Sequence, residues 1–383
     1  MCVLVFNATN IRDGGGVTHL TEILKKVSLE KYSFSKIVVV GSKQLLDLIE
    51  DRTWIEKKTH PYLNKSGFYI QIWRLFFFNK LLNDSKCDLL FDPGGGYNGK
   101  FRPFVTMCRN MLVFEKKERA RYKYTFIYFR LILLQFLQIK SFKQASSVIF
   151  ISKYADFYLR KNFNLILQSS KIIHHGVSTS FDELVNKQEN ISSYSFEKPF
   201  KLLYVSIIDL YKHQDLVVAA INRLRNQDKL PVEIDLVGSA YKPALKKLIN
   251  ILDGKQNSGI NIVGKVDYVN LKEIYSRANA FVFASTCENM PNILIESMRS
   301  GLPICCSKKQ PMPEFLGEKA FYFDAEDADS IYDTIKQMLL SSSLRAIYAH
   351  ESKQLSYNFD WTKCANETFS ELENVYLSQI EQG

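Results

Sequence analysis

The feature that most constrains the fold is an alternation of short apolar runs and amphipathic segments that continues along the whole chain of 383 residues. Runs of mostly β-branched or aromatic residues are separated by stretches with helical periodicity. Continuous apolar runs of this kind are typical of parallel strands that are buried on both faces. The repeated order of strand, loop, helix and strand predicts an α/β fold built on doubly wound parallel sheets.

Each half of the chain supplies enough predicted strands for a sheet of its own. The first half contains predicted strands at residues 2–7, 37–40, 88–91, 103–107 and 148–151. The second half contains predicted strands at 202–206, 233–237, 261–263, 280–284, 302–306 and 321–323, which alternate with helical segments near 214–226, 242–252, 270–278, 291–300 and 327–340. A chain of this length also exceeds one ordinary core, so we expect two domains of roughly 150–200 residues each.

The boundary between the domains is predicted from polarity. Residues 186–200 are rich in Ser, Asn and charged side chains and are the best linker candidate. We therefore predict an N-terminal domain at 1–185, a C-terminal domain at 201–358 and a final helix at 359–383 that packs back on the N-terminal domain. Ligands of open parallel sheets bind beyond the carboxyl ends of the strands, so a cleft between two facing sheets is the expected active site.

Cysteine usage and hydropathy restrict the class of protein further. The seven cysteines are scattered, without a Cys-x-x-Cys pair or a His at ligand spacing, which predicts a reduced, cytoplasmic protein without structural zinc. No basic leader precedes the first apolar run, so secretion is not expected. The longest apolar region, 126–139, contains Arg130 and falls short of the ~20 residues that a spanning helix needs, so we expect no transmembrane segment.

The net charge of +10 is concentrated in the first half, where residues 1–190 hold 29 Lys and Arg against 16 Asp and Glu. No zinc-finger, helix-turn-helix or single-strand-binding signature accompanies this charge, so nucleic acid is not an expected partner. Residues 116–143 combine eight basic residues with many aromatics and leucines, which is typical of a helix lying on an anionic bilayer. A long core helix with a solvated basic start is the alternative. The aromatic stretch 69–78 favours the membrane interpretation.

The segment 285–303 carries the most informative pattern in the chain. It follows a predicted strand and opens a predicted helix, in which Pro291 fits the first turn and Gly301 the position just past the end. Glu288 is then expected on the loop and Glu296 on the helix, so both carboxylates can face one cleft. The helix N-terminus attracts phosphate, whereas carboxylates suit hydroxyl groups. A ligand with a diphosphate between two polyols, a nucleoside-diphospho-sugar, satisfies these features together.

This segment resembles glycosyltransferase family 4, the large retaining group with the GT-B fold. The family pattern is Glu, seven residues, Glu, then small-Gly-x-Pro, and Glu288, Glu296, Gly301 and Pro303 match it. The resemblance implies two facing Rossmann-like domains with the active site in the cleft between them. It also implies that Glu296 binds the ribose hydroxyls and that Glu288 binds the donor sugar and takes part in catalysis. By the same resemblance, the backbone of Asn289, Met290, Pro291 and Asn292 is expected near the donor.

Other donor-binding residues follow from the same resemblance. Lys212 falls where the family places a Lys that neutralises the donor diphosphate and stabilises the leaving group, although an exposed loop lysine is the alternative. Ser206 stands where the family usually has an Arg, six residues before this Lys. Gly238, Gly264 and Lys265 belong to segments that resemble the two nucleotide-side loops, where glycine allows close backbone approach. An ordinary strand-ending turn explains Gly238 equally well.

The acceptor side is expected in the first half. A glycine-rich loop follows the first predicted strand, as in the family, and contains Gly14, Gly15 and Gly16. Many relatives carry a His where this chain has Arg109 and Asn110, and the segment resembles a bacterial surface-polysaccharide subgroup of the O-antigen type. We place all five residues at the mouth of the predicted cleft.

The predicted reaction is retaining transfer of a hexose from a nucleoside-diphosphate sugar to a hydroxyl of a lipid-linked glycan, at the inner face of the plasma membrane. No metal is expected, because no Asp-x-Asp motif follows a strand and Asp327-Ala-Asp329 looks like an acidic helix start. No cofactor besides the donor is expected. A sugar-nucleotide 2-epimerase on the same fold is one alternative. A non-catalytic, membrane-docked assembly subunit is another, which Ser206 in place of the usual Arg keeps open.

Overall fold

The computed structural model describes residues 2–12, 14–65, 67–182, 187–252 and 259–381, which form two compact units. Unit 1 comprises Met1–Gly176 and Phe359–Gly383, and unit 2 comprises Val177–Asn358. The chain thus passes from unit 1 to unit 2 directly after Gly176. The predicted domain end at 185 and the first predicted linker residue, Asn186, lie outside the described residues.

Residues 187–200, which polarity predicted as a linker, belong to unit 2 and pack on it. Gln188 donates through Nε2 to the carbonyl of Asn279 at 3.0 Å and accepts through Oε1 from Arg345 at 2.9 Å. The Arg345 guanidinium, which is fully buried, also donates to the carbonyl of Glu189 at 2.5 Å. The polar side chains of this segment therefore serve as hydrogen-bonding partners within unit 2.

Unit 1 is built on one parallel sheet. Its strands are β1 Cys2–Asn7, β2 Phe34–Val40, β3 Ile55–Lys58, β4 Leu89–Asp92, β5 Phe104–Cys108, β6 Ser147–Phe150 and β7 Ser170–Ile172. Its first seven helices are α1 Gly15–Lys26, α2 Lys43–Leu46, α3 Gly67–Phe76, α4 Phe78–Asp84, α5 Lys116–Arg119, α6 Phe126–Gln144 and α7 Lys153–Phe163. Among the described residues the sheet has the order β3-β2-β1-β4-β5-β6-β7. The edge strands β3 and β7 escaped prediction because they are short and half-exposed, without an apolar run.

The basic and aromatic stretch 116–143 is not one helix, which corrects the sequence-based expectation. Tyr124 has a left-handed φ of 64°, and the Thr125 hydroxyl caps α6 by accepting from the Tyr128 N–H at 3.4 Å. The core-helix alternative is also wrong for α6. Of its 19 residues, those that are buried are Leu131, Ser141 and Phe142. Within the described ranges, no helix of the chain is both long and apolar enough to cross a membrane.

Unit 2 is built on a second parallel sheet. Its strands are β8 Phe200–Val205, β9 Val232–Val237, β10 Ile260–Gly264, β11 Ala280–Phe283, β12 Ile304–Ser307 and β13 Phe321–Phe323. Its helices are α8 Gln214–Asn226, α9 Lys242–Leu252, α10 Leu271–Arg277, α11 Asn292–Arg299, α12 Met312–Leu316, α13 Ala328–Leu340 and α14 Ser342–Ser356. The described strands have the order β10-β9-β8-β11-β12-β13. The predicted α/β fold class of doubly wound parallel sheets is confirmed in both units.

The last helix, α15 Trp361–Ile380, belongs to unit 1 and packs on α1. The Ser147 hydroxyl donates to the buried Glu371 carboxylate at 2.5 Å, which fixes α15 to the start of β6. At the start of α15, the backbone of Trp361 lies so close to Gly176 that a Cβ on this glycine would collide with it. The helix is therefore an integral part of unit 1 despite its distance in sequence.

Candidate functional site

The strand order of unit 2 reverses at β8, which pairs with β9 on one side and β11 on the other. Open parallel sheets bind ligands at such a switch point, outside the carboxyl ends of the strands. Lys212 lies on the loop after β8, and Glu288 lies on the loop after β11. The two residues predicted to be catalytic therefore flank the switch point.

Lys212 and Glu288 form an ion pair across these two loops. The Lys212 Nζ atom donates to Glu288 Oε1, and the Ser285 hydroxyl donates to the same oxygen at 2.5 Å. The ammonium group also lies 4.9 Å from the ring centroid of Tyr211 and 5.0 Å from that of Phe283, within the range of cation–π attraction. Because Lys212 is only 5% exposed, the alternative of an exposed loop lysine is wrong.

The buried hydroxyl of Tyr204, on β8, forms a hydrogen bond to each of the two loops. It donates to the carbonyl of Lys212 at 2.5 Å and accepts from the N–H of Ala284 at 3.1 Å. The N–H of Thr286 adds a bond to the carbonyl of Tyr211 at 2.9 Å. These bonds hold the two loops in place relative to each other. Sequence reasoning missed Tyr204 because an aromatic residue inside an apolar strand looks like any core residue.

Glu296 occupies a different environment on α11. Its side chain is buried, and Oε2 accepts from the Tyr275 hydroxyl at 3.2 Å. Burial raises the pKa of Glu296 to about 7, and hydrogen bonds from the hydroxyls of Tyr275 and Tyr268 oppose this rise. Glu296 therefore changes its protonation state near neutral pH. Glu288 and Glu296 follow one another along the predicted motif, but each has its own set of partners.

The segment that joins the two acids opens α11. Asn289 and Met290 are buried, and Pro291 stands at the N-cap, where no side chain caps the helix. The helix begins at Asn292, one residue after the start of the predicted range. Past the end of α11, Gly301 has a left-handed φ of 68°, as expected for a glycine that terminates a helix.

Three of the predicted donor-binding residues lie at the carboxyl ends of neighbouring strands, namely Ser206 after β8, Gly238 after β9 and Gly264 at the end of β10. The N–H of Gly238 donates to the carbonyl of Gly264 at 2.8 Å. A Cβ on Gly238, whose φ is 147°, would collide with the carbonyl of Ser206. This close approach accounts for glycine at position 238 without a ligand. Lys265, the next residue along the last of these loops, is exposed.

In unit 1 the structure brings the glycine-rich loop and Arg109 together. Gly14 is the N-cap of α1 with a φ of 64°, and the helix begins at Gly15. A Cβ on Gly16 would lie 2.9 Å from both Nη atoms of Arg109, so this glycine makes room for the guanidinium. Asn110 is exposed, and its Oδ1 atom accepts from a backbone N–H two residues further on at 2.9 Å.

The acidic pair at the start of α13 has a structural role. The Asp327 carboxylate caps this helix by accepting from the N–H groups of Asp329 at 3.0 Å and Ser330 at 3.4 Å. The prediction of an acidic helix start is confirmed. In the part of the chain that the structure describes, no three His, Cys, Asp or Glu side chains are grouped as a metal site.

Residues 186–355 match the protein family described as glycosyl transferases group 1. This part of the chain is similar to the glycosyl transferases group 1 domain. It lies within unit 2 and contains the Lys212–Glu288 ion pair together with the loops that hold it.

Two curated relatives are similar to parts of the chain. The O-antigen chain mannosyltransferase B of Escherichia coli is 29% identical over 117 residues, which cover 30% of this chain and 31% of the relative. The N-acetylgalactosamine-N,N'-diacetylbacillosaminyl-diphospho-undecaprenol 4-alpha-N-acetylgalactosaminyltransferase of Campylobacter jejuni is 25% identical over 226 residues, which cover 56% of each chain. The chain spans between 31% and 62% of the length of the curated relatives it matches.

The fold as a whole is similar to that of a sucrose-phosphate synthase from Thermosynechococcus elongatus. The TM-score is 0.77 at 15% sequence identity, and the match covers 99% of this chain and 100% of the other. The chain therefore has the α/β GT-B fold, in which each unit contributes one Rossmann-like parallel sheet.

Proposed function

We propose that the protein is a retaining glycosyltransferase in bacterial polysaccharide synthesis. It transfers a hexose from a nucleoside-diphosphate sugar to a hydroxyl of a lipid-linked glycan. The observation that carries the proposal is the buried Lys212–Glu288 ion pair at the switch point of the group 1 glycosyltransferase domain. The names of the relatives, which include an O-antigen mannosyltransferase and a transferase acting on a diphospho-undecaprenol substrate, support the class of reaction.

In the proposed reaction the bond between the anomeric carbon and the diphosphate oxygen breaks, the acceptor oxygen forms a new bond to that carbon, and the acceptor proton passes to an oxygen of the leaving diphosphate. Negative charge develops on the leaving diphosphate. A buried ammonium group stabilises such charge far better than an exposed one, because little water screens it. Lys212 supplies this group, and the N-terminus of α11 adds N–H donors. No metal ion and no further cofactor is required in this scheme.

The ion pair also defines what donor binding must change. In the structure, Glu288 neutralises Lys212, and the same carboxylate oxygen accepts from the Ser285 hydroxyl. A diphosphate that approaches the ammonium group replaces this carboxylate as the counter-charge. Glu288 then becomes available to the hydroxyls of the donor sugar, while Glu296 binds the ribose hydroxyls. Asn289, the residue after Glu288, belongs to the same donor-binding loop.

The donor site is tested by thermal unfolding of the full chain with each common UDP- and GDP-sugar. One nucleotide class should raise the melting temperature of the wild type, and Lys212→Ala should abolish the rise. Lys319→Ala is the matched control, since Lys319 is a half-exposed lysine of unit 2 that pairs with Glu351 at 3.1 Å. Donor binding by Lys212→Ala equal to that of the control would contradict the proposed site.

Catalysis is tested by sugar transfer to lipid extracts with the donor so identified. Glu288→Gln should abolish transfer while the protein stays folded and still binds the nucleotide. Unchanged transfer would refute the assignment, and a folded wild type that binds no nucleotide sugar would instead favour a non-catalytic assembly subunit. Transfer that is lost on addition of a chelator and restored by Mg²⁺ or Mn²⁺ would refute metal independence.

We propose that unit 1 binds the inner face of the plasma membrane, as a peripheral protein on the cytoplasmic side. Four large apolar side chains of α6 are between 58% and 82% exposed and recur at helical spacing, namely Phe126, Phe129, Leu133 and Phe136. Arg130 and Lys140 are exposed on the same helix. Aromatic and leucine side chains beside cations suit the boundary between acyl chains and anionic headgroups.

A second exposed apolar helix extends this surface. Phe68, Leu75 and Phe76 of α3 are each about 70% exposed. A groove of about 230 Å³ lies between the helices and is lined by Leu75 of α3 and Leu137 of α6. Leu75 of α3 and Leu137 of α6 therefore border one groove of unit 1.

Membrane binding is tested by flotation of the full chain with vesicles of phosphatidylcholine, with and without phosphatidylglycerol. Phe129→Glu should lower the partition coefficient between vesicles and water roughly 10-fold, since inserting one Phe contributes about 1.5–3 kcal/mol. Phe157→Glu is the matched control, because Phe157 is also 63% exposed but lies on α7. Equal losses of vesicle binding for the two variants, or binding that does not depend on anionic lipid, would refute the proposal that α6 faces the membrane.

A further inference from the structure

A second groove of unit 1, with a volume of about 620 Å³, lies between the end of β3 and the helices α3 and α4. We call it the β3 groove. Its helix side is a stripe at helical spacing that contains Trp73, Phe77 and Leu81. Its strand side is formed by residues 57–60, at the carboxyl end of β3. A groove of this volume fits an organic ligand rather than a single ion.

The aromatic part of the β3 groove offers an apolar surface beside a hydrogen-bond donor. Phe77 is 42% exposed, and its ring stacks on that of His60 with 5.3 Å between the centroids. The Nδ1 atom of His60 accepts from the N–H of Tyr62 at 3.2 Å. A neutral imidazole carries its one proton on the other nitrogen, so Nε2 of His60 is a donor. His60 therefore places an N–H group next to the ring of Phe77.

The charged side chains of the β3 groove are mostly cations. Three lysines, Lys57, Lys58 and Lys80, line it together with one acid, Asp84. Lys57 and Lys58 pair with carboxylates that are not part of the lining. Lys80 is exposed on α4 and forms no ion pair within the described part of the chain. An anionic group in the groove would therefore meet an excess of positive charge, with Lys80 as the uncommitted cation.

The β3 groove borders the surface that we propose to contact the membrane. Phe76, which is 69% exposed, belongs to that surface, and the next residue, Phe77, lines the groove. An anionic phospholipid combines the two properties that the lining suits, because its phosphate is charged and its acyl chains are apolar. A soluble sugar phosphate carries the charge but has no apolar chain to place against Phe77. The lining and its position therefore favour a lipid.

We propose that the β3 groove binds the headgroup and glycerol backbone of one anionic phospholipid, with Lys80 and His60 as donors to the phosphate and Phe77 against the acyl carbons. The inference rests on the proposed membrane binding and adds a site of defined stoichiometry to it. Diffuse attraction between a basic surface and anionic lipid needs a membrane that carries many charges. A groove instead binds a single lipid molecule from solution.

Titration calorimetry of the full chain with dihexanoyl phosphatidylglycerol, below its micelle concentration, measures the groove without a membrane. One molecule should bind per chain. Dihexanoyl phosphatidylcholine, which has no net charge, and glucose 6-phosphate, which has no acyl chain, should each bind at least roughly 5-fold more weakly. A wild type that does not bind phosphatidylglycerol would overturn the proposal. Equal or tighter binding of glucose 6-phosphate would assign the groove to a sugar phosphate and would also overturn it.

Charge reversal at Lys80 tests which cation meets the phosphate. Lys80→Glu should weaken dihexanoyl phosphatidylglycerol roughly 10-fold or more, since it removes one attraction and adds one repulsion. Lys161→Glu is the matched control, because Lys161 is exposed on α7 and also lies beside an aromatic ring, 5.5 Å from the centroid of Phe157. Lys161 is not part of the lining, so its replacement should leave the affinity unchanged. Equal losses for the two variants would overturn the site.

Phe129→Glu separates this inference from the proposed membrane binding. It should bind dihexanoyl phosphatidylglycerol like the wild type, because Phe129 lies on α6 and not in the β3 groove. If Phe129→Glu still binds vesicles fully and Lys80→Glu loses the short-chain lipid, the groove stands and the assignment of α6 fails. If Lys80→Glu binds the short-chain lipid normally and Phe129→Glu no longer binds vesicles, α6 faces the membrane and the groove is not a lipid site.

Discussion

Replacing Glu296 by Gln should remove a pH dependence from the stability of unit 2. The carboxyl group is 5% exposed, and burial raises its pKa from 4.5 to about 7. Between these two values the folded state holds a proton that the unfolded chain has already released. The stability that this group contributes is therefore fully present below the unfolded pKa and is lost as the pH rises through the folded pKa.

The magnitude follows from the separation of the two pKa values. A separation of about 2.5 pH units corresponds to roughly 3 kcal/mol of stability, most of which is lost between pH 5 and pH 8. An amide cannot ionise, yet it can still accept from the Tyr275 hydroxyl, which lies 3.2 Å from the carboxylate. Glu296→Gln should therefore resemble the wild type at pH 5 and exceed its stability at pH 8.

Urea unfolding of the full chain at pH 5, 6, 7 and 8 measures this difference. Glu273→Gln serves as the control, because Glu273 lies on the neighbouring helix α10, is 63% exposed and pairs with Arg277. Its replacement should leave the pH dependence of unit 2 unchanged. Wild-type and Glu296→Gln curves that stay parallel from pH 5 to pH 8 would show that the carboxyl group does not titrate in this range.

Three further substitutions test the packing described above. Tyr204→Phe removes two buried hydrogen bonds to the loops at the switch point, and chemical unfolding should show a loss of about 1–3 kcal/mol in the free energy of unfolding. An unchanged free energy of unfolding would mean that the Tyr204 hydroxyl does not stabilise the loops. Gly238→Ala places a Cβ against the carbonyl of Ser206, so nucleotide affinity should fall and a displaced loop should be visible in a crystal structure, whereas an unshifted loop would contradict the collision. Ser147→Ala leaves the buried carboxylate of Glu371 without its hydroxyl donor, and faster amide hydrogen exchange in α15 is expected, with unchanged exchange as the contrary outcome.

The helices of unit 2 were the most predictable part of the fold. The predicted ranges 214–226 and 242–252 coincide with α8 and α9, because each pairs a clear amphipathic period with a polar or glycine-containing boundary. In unit 1, the predicted bounds of the basic helix were wrong because the backbone conformation of one residue decides where that helix begins. At Tyr124 a single left-handed residue divides the basic stretch, and composition carries no information about such a break.

In the candidate site too, the sequence predicted the positions of residues along the chain but not the contacts between their side chains. The motif places Glu288 on its loop, and family resemblance places Lys212, but neither reveals that the two side chains form an ion pair. This pairing depends on how far apart β8 and β11 hold their loops, which is a property of the sheet. Likewise, the sequence predicts Gly16 at the mouth of the cleft, but it does not reveal that this glycine makes room for Arg109, a residue 93 positions away.

The return of α15 to unit 1 has a consequence for synthesis on the ribosome. Unit 1 is discontinuous in sequence, and the ribosome translates all of unit 2 before it makes the helix that covers α1. Until then the face of α1 that contacts α15 stays open to water, in a nascent unit that already displays the apolar side chains of α3 and α6. We therefore expect the nascent chain to need a chaperone until Trp361 has emerged and closed over Gly176, and truncation before this residue to yield an aggregating product.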